Sequence, residues 1–278
     1  MSGAHLSRDD CDLFYTIHGP SSGLPVLLIH GWTCDMTDWS FQLPFLLQTH
    51  KCFRVIAMDL RGHGASRTLQ ADGHTETDMS PTAMAEDAAE ILRRSGVDDS
   101  NKAIIIAHSL GTTVGIELSH GHPSLVKGLV LLDPSYQAPL HMFLGLVEQL
   151  KDDYETALAS CFEALYPSET PEYIKTWNLL RALSMDKGAA IRSVEQQVEC
   201  LLPSGVEYAR RTRVKVPRLV MSSAGQFLDA IREAGWDDEL DRLELLEAGG
   251  HWMMKTKPDE VNRLIQSWLE GRSFIDTP

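Results

Sequence analysis

The strongest constraint on the fold is a regular alternation of short apolar runs with segments long enough for a helix. Several runs are almost unbroken in Val, Ile and Leu, which is typical of strands buried on both faces of a parallel sheet. We predict strands at residues 26–29, 54–58, 103–106, 128–132, 218–221 and 243–246. An opening pair near residues 11–17 would add an antiparallel edge. This order predicts an α/β fold with a mainly parallel central sheet flanked by helices.

Two helices have clear boundaries in the sequence. Residues 81–94 follow Ser80, a good N-cap residue, begin with a proline and have Gly96 close behind them. Residues 258–269 repeat large apolar side chains at the spacing of one helix face. Both segments therefore predict helices that alternate with the strands.

The alternation is interrupted between residues 136 and 216. That stretch has no convincing strand, but residues 141–150 and 154–165 have amphipathic helical patterns. We therefore divide the chain into a core, residues 1–135 and 217–278, and a helical insertion, residues 136–216.

The strand at residues 103–106 leads directly into Ala107-His108-Ser109-Leu110-Gly111, and a helical pattern follows. Small residues around the serine permit a sharp strand-to-helix turn, which lifts the serine hydroxyl clear of the sheet. Ala107 stands where glycine is usual and should add some crowding. Ser109 is therefore a candidate nucleophile, and the plainer alternative is that it only caps the helix.

Charge and composition exclude several classes of partner. Lys and Arg total 25 against 39 Asp and Glu, a net charge of −14, which disfavours nucleic acid and anionic membranes as partners. The amino terminus lacks the apolar core of a signal peptide, and no run is long enough to span a membrane. The five cysteines are scattered, without metal-binding spacing. We expect a cytoplasmic monomer or homodimer with reduced thiols that binds a small molecule and needs no metal or organic cofactor.

Four further motifs accompany Ser109 in a fixed order. They are residues 30–32 (His-Gly-Trp) after the first buried strand, residues 59–66 after the next, Asp133-Pro134 after the fourth, and residues 249–252 (Gly-Gly-His-Trp) before the final helix. Together these motifs resemble the α/β-hydrolase fold superfamily over essentially the whole chain. The helical insertion stands where that superfamily carries its cap.

The resemblance implies roles for particular residues. Ser109 would be the nucleophile, and His251 the base that takes its proton while a carboxylate holds the imidazole in the right tautomer. The backbone N–H groups of Trp32 and Leu110 would form the oxyanion hole.

The position of the acid is left open. Most members carry it after the strand predicted at residues 218–221, three residues beyond a glycine. Here Gly225 leads to Leu228 at that place, and Asp229 is one residue late. Asp133 ends the preceding strand, where a minority of the superfamily has its acid, and we favour Asp133 over Asp229.

Five side chains are further candidates for the substrate pocket. His30 and His108 neighbour the implied oxyanion hole and nucleophile, although a structural hydrogen bond is the commoner role for such histidines. Phe143, Trp177 and Trp252 offer bulky apolar surface, which favours an apolar or aromatic substrate.

The leading hypothesis is a serine-dependent hydrolase that cleaves an ester, lactone, thioester or activated C–C bond through an acyl-enzyme. The main alternative is a cofactor-independent 2,4-dioxygenase acting on a 3-hydroxy-4-oxoquinoline-type ring. Such enzymes share this fold and place the acid after the same strand as Asp133, and their His–Asp dyad deprotonates the substrate while the serine is secondary. A hydroxynitrile-lyase type of reaction and a ligand-binding protein on an inactive scaffold also remain open.

Overall fold

The computed structural model describes residues 2–49, 53–69, 77–213 and 215–276. Cys52, one of the thiols predicted to be reduced, lies outside these ranges. Cys11, Cys34, Cys161 and Cys200 are free. None of the helices in the described ranges is both long enough and apolar enough to cross a membrane.

The described residues form one nine-stranded sheet. Its strands are β1 (Ser2–Ser7), β2 (Cys11–His18), β3 (Leu24–Ile29), β4 (Phe53–Met58), β5 (Arg67–Thr68), β6 (Ala103–His108), β7 (Val126–Leu132), β8 (Arg218–Ser222) and β9 (Asp241–Leu245). Their order is β1-β2-β4-β3-β6-β7-β8-β9, and β5 pairs with β2. Along this order, neighbouring strands from β4 to β9 are parallel. Strand β2 pairs antiparallel with β1, β4 and β5. The predicted α/β fold, with a mainly parallel sheet and an antiparallel edge, is confirmed.

The inner strands are buried on both faces, which explains their continuous apolar sequences. In β3, Leu27 and Ile29 join the hydrophobic cluster on one face of the sheet, while Val26 and Leu28 join the cluster on the other. The alternation follows from the two-residue period of a strand. No polar face is needed in such a strand.

The last strand begins earlier than its apolar residues indicate. The prediction began at residue 243, but β9 starts at Asp241, which is buried. Arg218, the first residue of β8, donates from Nε to Asp241 Oδ1 at 3.0 Å. A buried ion pair therefore occupies a strand position that the sequence pattern treats as loop.

Eleven α-helices lie within the described ranges. They are α1 (Gln42–Thr49), α2 (Pro81–Arg94), α3 (Leu110–Gly121), α4 (Leu140–Asp152), α5 (Tyr154–Ala164), α6 (Glu172–Ser184), α7 (Lys187–Leu201), α8 (Gly205–Arg211), α9 (Leu228–Glu233), α10 (Met253–Thr256) and α11 (Pro258–Gly271). Buried side chains of α2 and α3 belong to one hydrophobic cluster, and those of α11 to the other. The two clusters lie on opposite faces of the sheet.

The segment between β7 and β8 contains α4 to α8, and its described residues include no strand. Arg181 of α6 joins it to the core by donating to Asp35 at 3.0 Å and to Asp38 at 2.7 Å. Lys255 also contacts Asp38, at 2.9 Å. Burial opposes ionisation of Asp38, but the charges of Arg181 and Lys255 outweigh it and hold its pKa far below the usual range. Whether this helical segment is a cap that selects substrates stays a prediction.

At Gly111, the second residue of α3, this helix approaches the backbone at the end of β3 very closely. A Cβ there would lie 2.5 Å from His30 O and 2.7 Å from Ile29 O, and backbone atoms cannot move aside easily. We expect Gly111→Ala to lower the free energy of unfolding, measured in urea, by about 2–3 kcal/mol.

Gly115→Ala is the matched control in the same helix. Its Cβ would meet Ile105 Cγ2 at 3.4 Å, an ordinary contact, and alanine is the better helix former by about 1 kcal/mol. We expect this variant to be as stable as the wild type or slightly more stable. Equal stability of both variants would contradict the close approach of α3 to the sheet.

Candidate active site

Ser109 occupies a strained turn between β6 and α3. Its φ of 51° and ψ of −120° lie in a region that side chains other than glycine seldom adopt. Ser109 N–H donates to Leu132 O at 3.0 Å, while Thr112 donates to Ser109 O from N (2.9 Å) and from Oγ1 (2.6 Å). These bonds tie the turn to the neighbouring strand β7 and to α3, as a nucleophile elbow requires.

Ala107 fits the turn without crowding α3. Even a Cβ at the facing Gly115 would lie 3.6 Å from Ala107 Cβ, which is an ordinary van der Waals contact. The alanine that replaces the usual glycine therefore fits the turn without steric conflict at this contact.

Asp133 and His251 meet at the carboxyl end of the sheet. Asp133 follows β7 with a φ of 46°, and its Oδ2 lies 2.5 Å from His251 Nδ1. The other oxygen, Oδ1, accepts from Gln137 Nε2 (2.8 Å), Ser223 N (3.0 Å) and Ser223 Oγ (2.9 Å). Because a carboxylate only accepts, Nδ1 carries the imidazole proton, and Nε2 of the neutral ring is left as an acceptor.

The charge of Asp133 is fixed by these partners. Burial alone would raise its pKa, but hydrogen bonding with His251, the positive charge of a protonated His251, and donors from Ser223 and Gln137 lower the pKa to about 2. Asp133 therefore stays ionised above about pH 3, throughout the range in which a hydrolase is normally assayed.

Asp229 lies elsewhere. It stands in α9, its side chain is 91% exposed, and its ion-pair partner is Arg232 at 3.7 Å. The residue after β8 that reaches the histidine–carboxylate pair is Ser223, as a donor to Asp133. The alternative that placed the acid at Asp229 is wrong because α9 turns that side chain into solvent.

The loop that carries His251 is held from two sides. His251 N–H donates to Leu165 O at 3.2 Å, and His108 Nε2 donates to His251 O at 2.8 Å. Burial and the neighbouring His251 lower the pKa of His108 to about 3, so its ring is neutral. His108 thus orients the backbone of His251.

The backbone after β3 passes directly beside Ser109. A Cβ at Gly31 would lie 3.1 Å from Ser109 Cβ, and Trp32 lines the same cavity as Ser109. Leu110 is the first residue of α3, so its N–H has no partner within the helix. This placement is compatible with the predicted oxyanion donors, Trp32 and Leu110.

A cavity of about 200 Å³ reaches Ser109, Asp133 and His251. Most of its wall is apolar and comes from the turn after β3, from α4, and from the residues just after α5 and just before α9. These residues are Trp32, Met142, Phe143, Leu146, Leu165 and Phe227. The predicted pocket residue Phe143 is therefore part of this wall.

Four of the five predicted pocket residues, His30, His108, Trp177 and Trp252, lie outside this cavity. His30 is fully buried, donates from Nδ1 to Gly31 O at 2.8 Å and accepts from Leu60 N at 3.0 Å, so it has a structural role. Trp177 is 51% exposed, with Lys255 Nζ 5.5 Å from its ring. Trp252 is buried and lines, with His108 and Ser109, a side pocket of only about 30 Å³. The prediction that His30 and Trp177 contact substrate is corrected by these positions.

The sequence alone did not point to Gln137, Ser223 or Gln197. Ser223 had a usable signal, because it follows β8 and the carboxyl ends of neighbouring parallel strands meet at one edge. Gln137 and Gln197 had none, since a glutamine on or beside a helix is typical of a surface. Among the described residues, no group of three or more His, Cys, Asp or Glu side chains is placed to hold a metal ion.

The fold and this site together define an α/β hydrolase architecture. The family model described as the alpha/beta hydrolase family matches residues 26–264. The chain therefore belongs to the alpha/beta hydrolase family.

Known relatives include proteins with several activities. An (E)-2-((N-methylformamido)methylene)succinate hydrolase from Acinetobacter baylyi is 25% identical over 89% of this chain and 91% of its own length. A non-heme chloroperoxidase from Streptomyces lividans is 32% identical over 57% of this chain and 55% of its own. The matched region covers only about a third to just over half of the length of the leading curated relatives.

Solved structures share the fold at low sequence identity. An esterase from Exiguobacterium antarcticum superposes with a TM-score of 0.78 at 20% identity, covering 97% of this chain and all of that one. At this identity the likeness shows the fold alone.

Proposed function

We propose that this protein is a serine hydrolase that cleaves esters or related acyl compounds of small, uncharged, apolar substrates. The observation that carries the proposal is the contact between His251 Nδ1 and Asp133 Oδ2 at the cavity where the strained Ser109 stands. The pairing leaves His251 Nε2 to act as a base towards the serine hydroxyl. Membership of the family supports the same class of reaction.

The reaction would proceed in two halves. Ser109 Oγ attacks the carbonyl carbon while His251 Nε2 takes the hydroxyl proton, and the N–H groups of Trp32 and Leu110 stabilise the oxyanion. The C–O bond to the leaving group breaks, His251 returns the proton to the leaving oxygen, and an acyl-enzyme remains. Water then attacks this acyl carbon, His251 takes its proton, and Ser109 regains a proton as the acid leaves.

The lining of the cavity supports an uncharged substrate. No Lys or Arg is among its described lining residues, and the only ionised acid there is Asp133. A substrate carboxylate would enter an apolar cavity without a cationic partner, which is strongly unfavourable. The dicarboxylate named for the Acinetobacter relative is therefore a poor candidate for this chain.

Pre-steady-state hydrolysis tests the proposal. With p-nitrophenyl hexanoate, we expect nitrophenol release with wild-type protein and trapping of a hexanoyl group on Ser109 at low pH, detected by mass spectrometry. Ser119→Ala, which removes a buried hydroxyl from α3 away from the cavity, should behave like the wild type. Hydrolysis that continues unchanged in Ser109→Ala would contradict the proposal.

A dioxygenase using the same dyad is the second candidate. The pairing of His251 with Asp133 supports it, because dioxygenases of this fold carry the acid after the same strand as Asp133. Incubation with a 3-hydroxy-4-oxoquinoline under oxygen separates the two reactions. Ring cleavage that survives Ser109→Ala but is lost in His251→Ala would establish the dioxygenase.

We also propose that residues 136–216 act as a cap that selects substrates by size. Phe143→Ala should enlarge the cavity and shift kcat/KM towards longer acyl chains by about tenfold. Trp177→Ala is the matched control, because Trp177 is exposed and outside the cavity. Rates on p-nitrophenyl esters from acetate to decanoate measure the shift. The same preference in Phe143→Ala and wild type would contradict the cap proposal.

A further inference from the structure

Gln197 is a buried polar side chain in the wall of the main cavity. It stands on α7, is 3% exposed and lines the cavity with Ser109 and His251. Its Nε2 has no hydrogen-bond partner among the described residues. A buried amide without a partner is destabilising, so its retention in a binding cavity points to a ligand.

Apart from the Cys161 thiol, the other polar side chains of this wall are already hydrogen-bonded, and Trp32 Nε1 donates to Ala190 O at 2.9 Å. Ser135 Oγ bonds with Thr113 Oγ1 at 2.8 Å and with Ser109 O at 3.3 Å. Gln137 donates to Asp133 and accepts from Ser222 Oγ at 3.1 Å. Burial raises the pKa of Cys161 to about 11, so it is a neutral thiol and a weak donor. Gln197 is therefore the polar group in the described wall, outside the candidate triad, that is best able to recognise a substrate.

The character of the cavity limits what Gln197 would bind. Nε2 is fully buried, so the amide must turn about its soft terminal torsion to present this donor to the cavity, where the matching substrate atom is an acceptor oxygen. A carboxylate is disfavoured because the described wall has no cation and contains ionised Asp133. A cavity of about 150 Å³ holds a benzene molecule, so one of about 200 Å³ has room for roughly eight non-hydrogen atoms.

We propose that Gln197 is a specificity-determining residue that donates a hydrogen bond to a second, uncharged carbonyl oxygen in the acyl part of the substrate. The inference rests on the proposed function and narrows its substrate class to neutral acyl groups of about eight non-hydrogen atoms that carry a ketone or amide. The terminal torsion of a glutamine is soft, so the amide can turn to meet oxygens at different positions along the chain.

Matched esters test the inference in the wild-type protein. The substrates are p-nitrophenyl hexanoate, 4-oxohexanoate and 5-oxohexanoate, with rates corrected for hydrolysis in the absence of protein. We expect at least one oxo-ester to have a kcat/KM at least about tenfold above that of hexanoate, because it satisfies the amide that hexanoate leaves unpaired. Equal values for all three esters would overturn the inference.

Two variants test whether the Gln197 amide causes the preference for an oxo-ester over hexanoate. Gln197→Leu keeps a similar volume without a donor, and Gln197→Glu keeps the shape but removes the amide. We expect both to lower the ratio of the oxo-ester kcat/KM to the hexanoate kcat/KM towards one. Val194→Ala, on the same helix and cavity wall, should change all three rates in parallel.

The outcomes separate two kinds of failure. Loss of hexanoate and oxo-ester hydrolysis in equal proportion in Gln197→Leu would make Gln197 merely structural and overturn this inference alone. Hexanoate hydrolysis that does not depend on Ser109 would overturn the proposed function, and the inference with it.

Discussion

Replacing Ser109 with alanine is expected to lower kcat/KM for p-nitrophenyl hexanoate by at least about a thousandfold. The change removes the nucleophile, while the elbow, the His251–Asp133 pair and the cavity remain. Alanine has one heavy atom fewer than serine and makes no new contact in the turn. Initial rates with titrated, folded protein measure the effect.

Ser119→Ala is the control, because it removes a buried serine hydroxyl from α3, the helix that follows Ser109. Ser119 Oγ donates to Ile116 O at 2.9 Å, and Ser119 does not line the cavity. We expect its rate to stay within about twofold of the wild type. A Ser109→Ala protein that keeps more than a tenth of the wild-type rate would contradict the serine mechanism.

Asp133→Asn is expected to reduce kcat by about four orders of magnitude. Three donor groups, from Gln137 and from the main chain and side chain of Ser223, point at Oδ1. They favour the amide oxygen of the asparagine at that position, which turns its NH₂ group towards His251 Nδ1. The imidazole must then accept at Nδ1 and carry its proton on Nε2, where it cannot take a proton from Ser109.

Asp229→Asn is the matched control, since it makes the same chemical change at the other candidate acid. Asp229 is exposed and its contact is with Arg232, so its loss should change kcat by less than about tenfold. Both variants are compared by steady-state rates at pH 7, where Asp133 is ionised in the wild type. A larger loss in Asp229→Asn than in Asp133→Asn would contradict the assignment of the acid to Asp133.

The fold was predictable because its signals are local. The predicted strands and the helix at residues 81–94 were found from apolar runs, a capping serine and a proline. The turn at Ser109 was also visible, since the small residues that it requires stand in sequence around it. The early start of β9 was missed because a buried ion pair there depends on a partner in another strand.

The site was only partly predictable, because its walls come from elements that are distant in sequence. Asp133 could be favoured over Asp229 by its strand position, but only the structure shows that the latter side chain faces solvent. Trp177 was predicted as a pocket residue from its type alone. On α6 it shares an exposed face with Tyr173 and Leu180, and helical spacing does not reveal which face is outside. Gln197 was missed because nothing in the sequence indicates that this glutamine is buried.

The most direct test of the central claim is reaction with a fluorophosphonate, which modifies a serine only when that serine is activated. We expect one adduct, located at Ser109 by tandem mass spectrometry of the digested protein. Labelling should be absent in Ser109→Ala, strongly slowed in His251→Ala, and unchanged in Asp229→Asn. A folded wild-type protein whose Ser109 stays unmodified, or is modified equally fast without His251, would contradict the account of Ser109 as a nucleophile activated by His251 and Asp133.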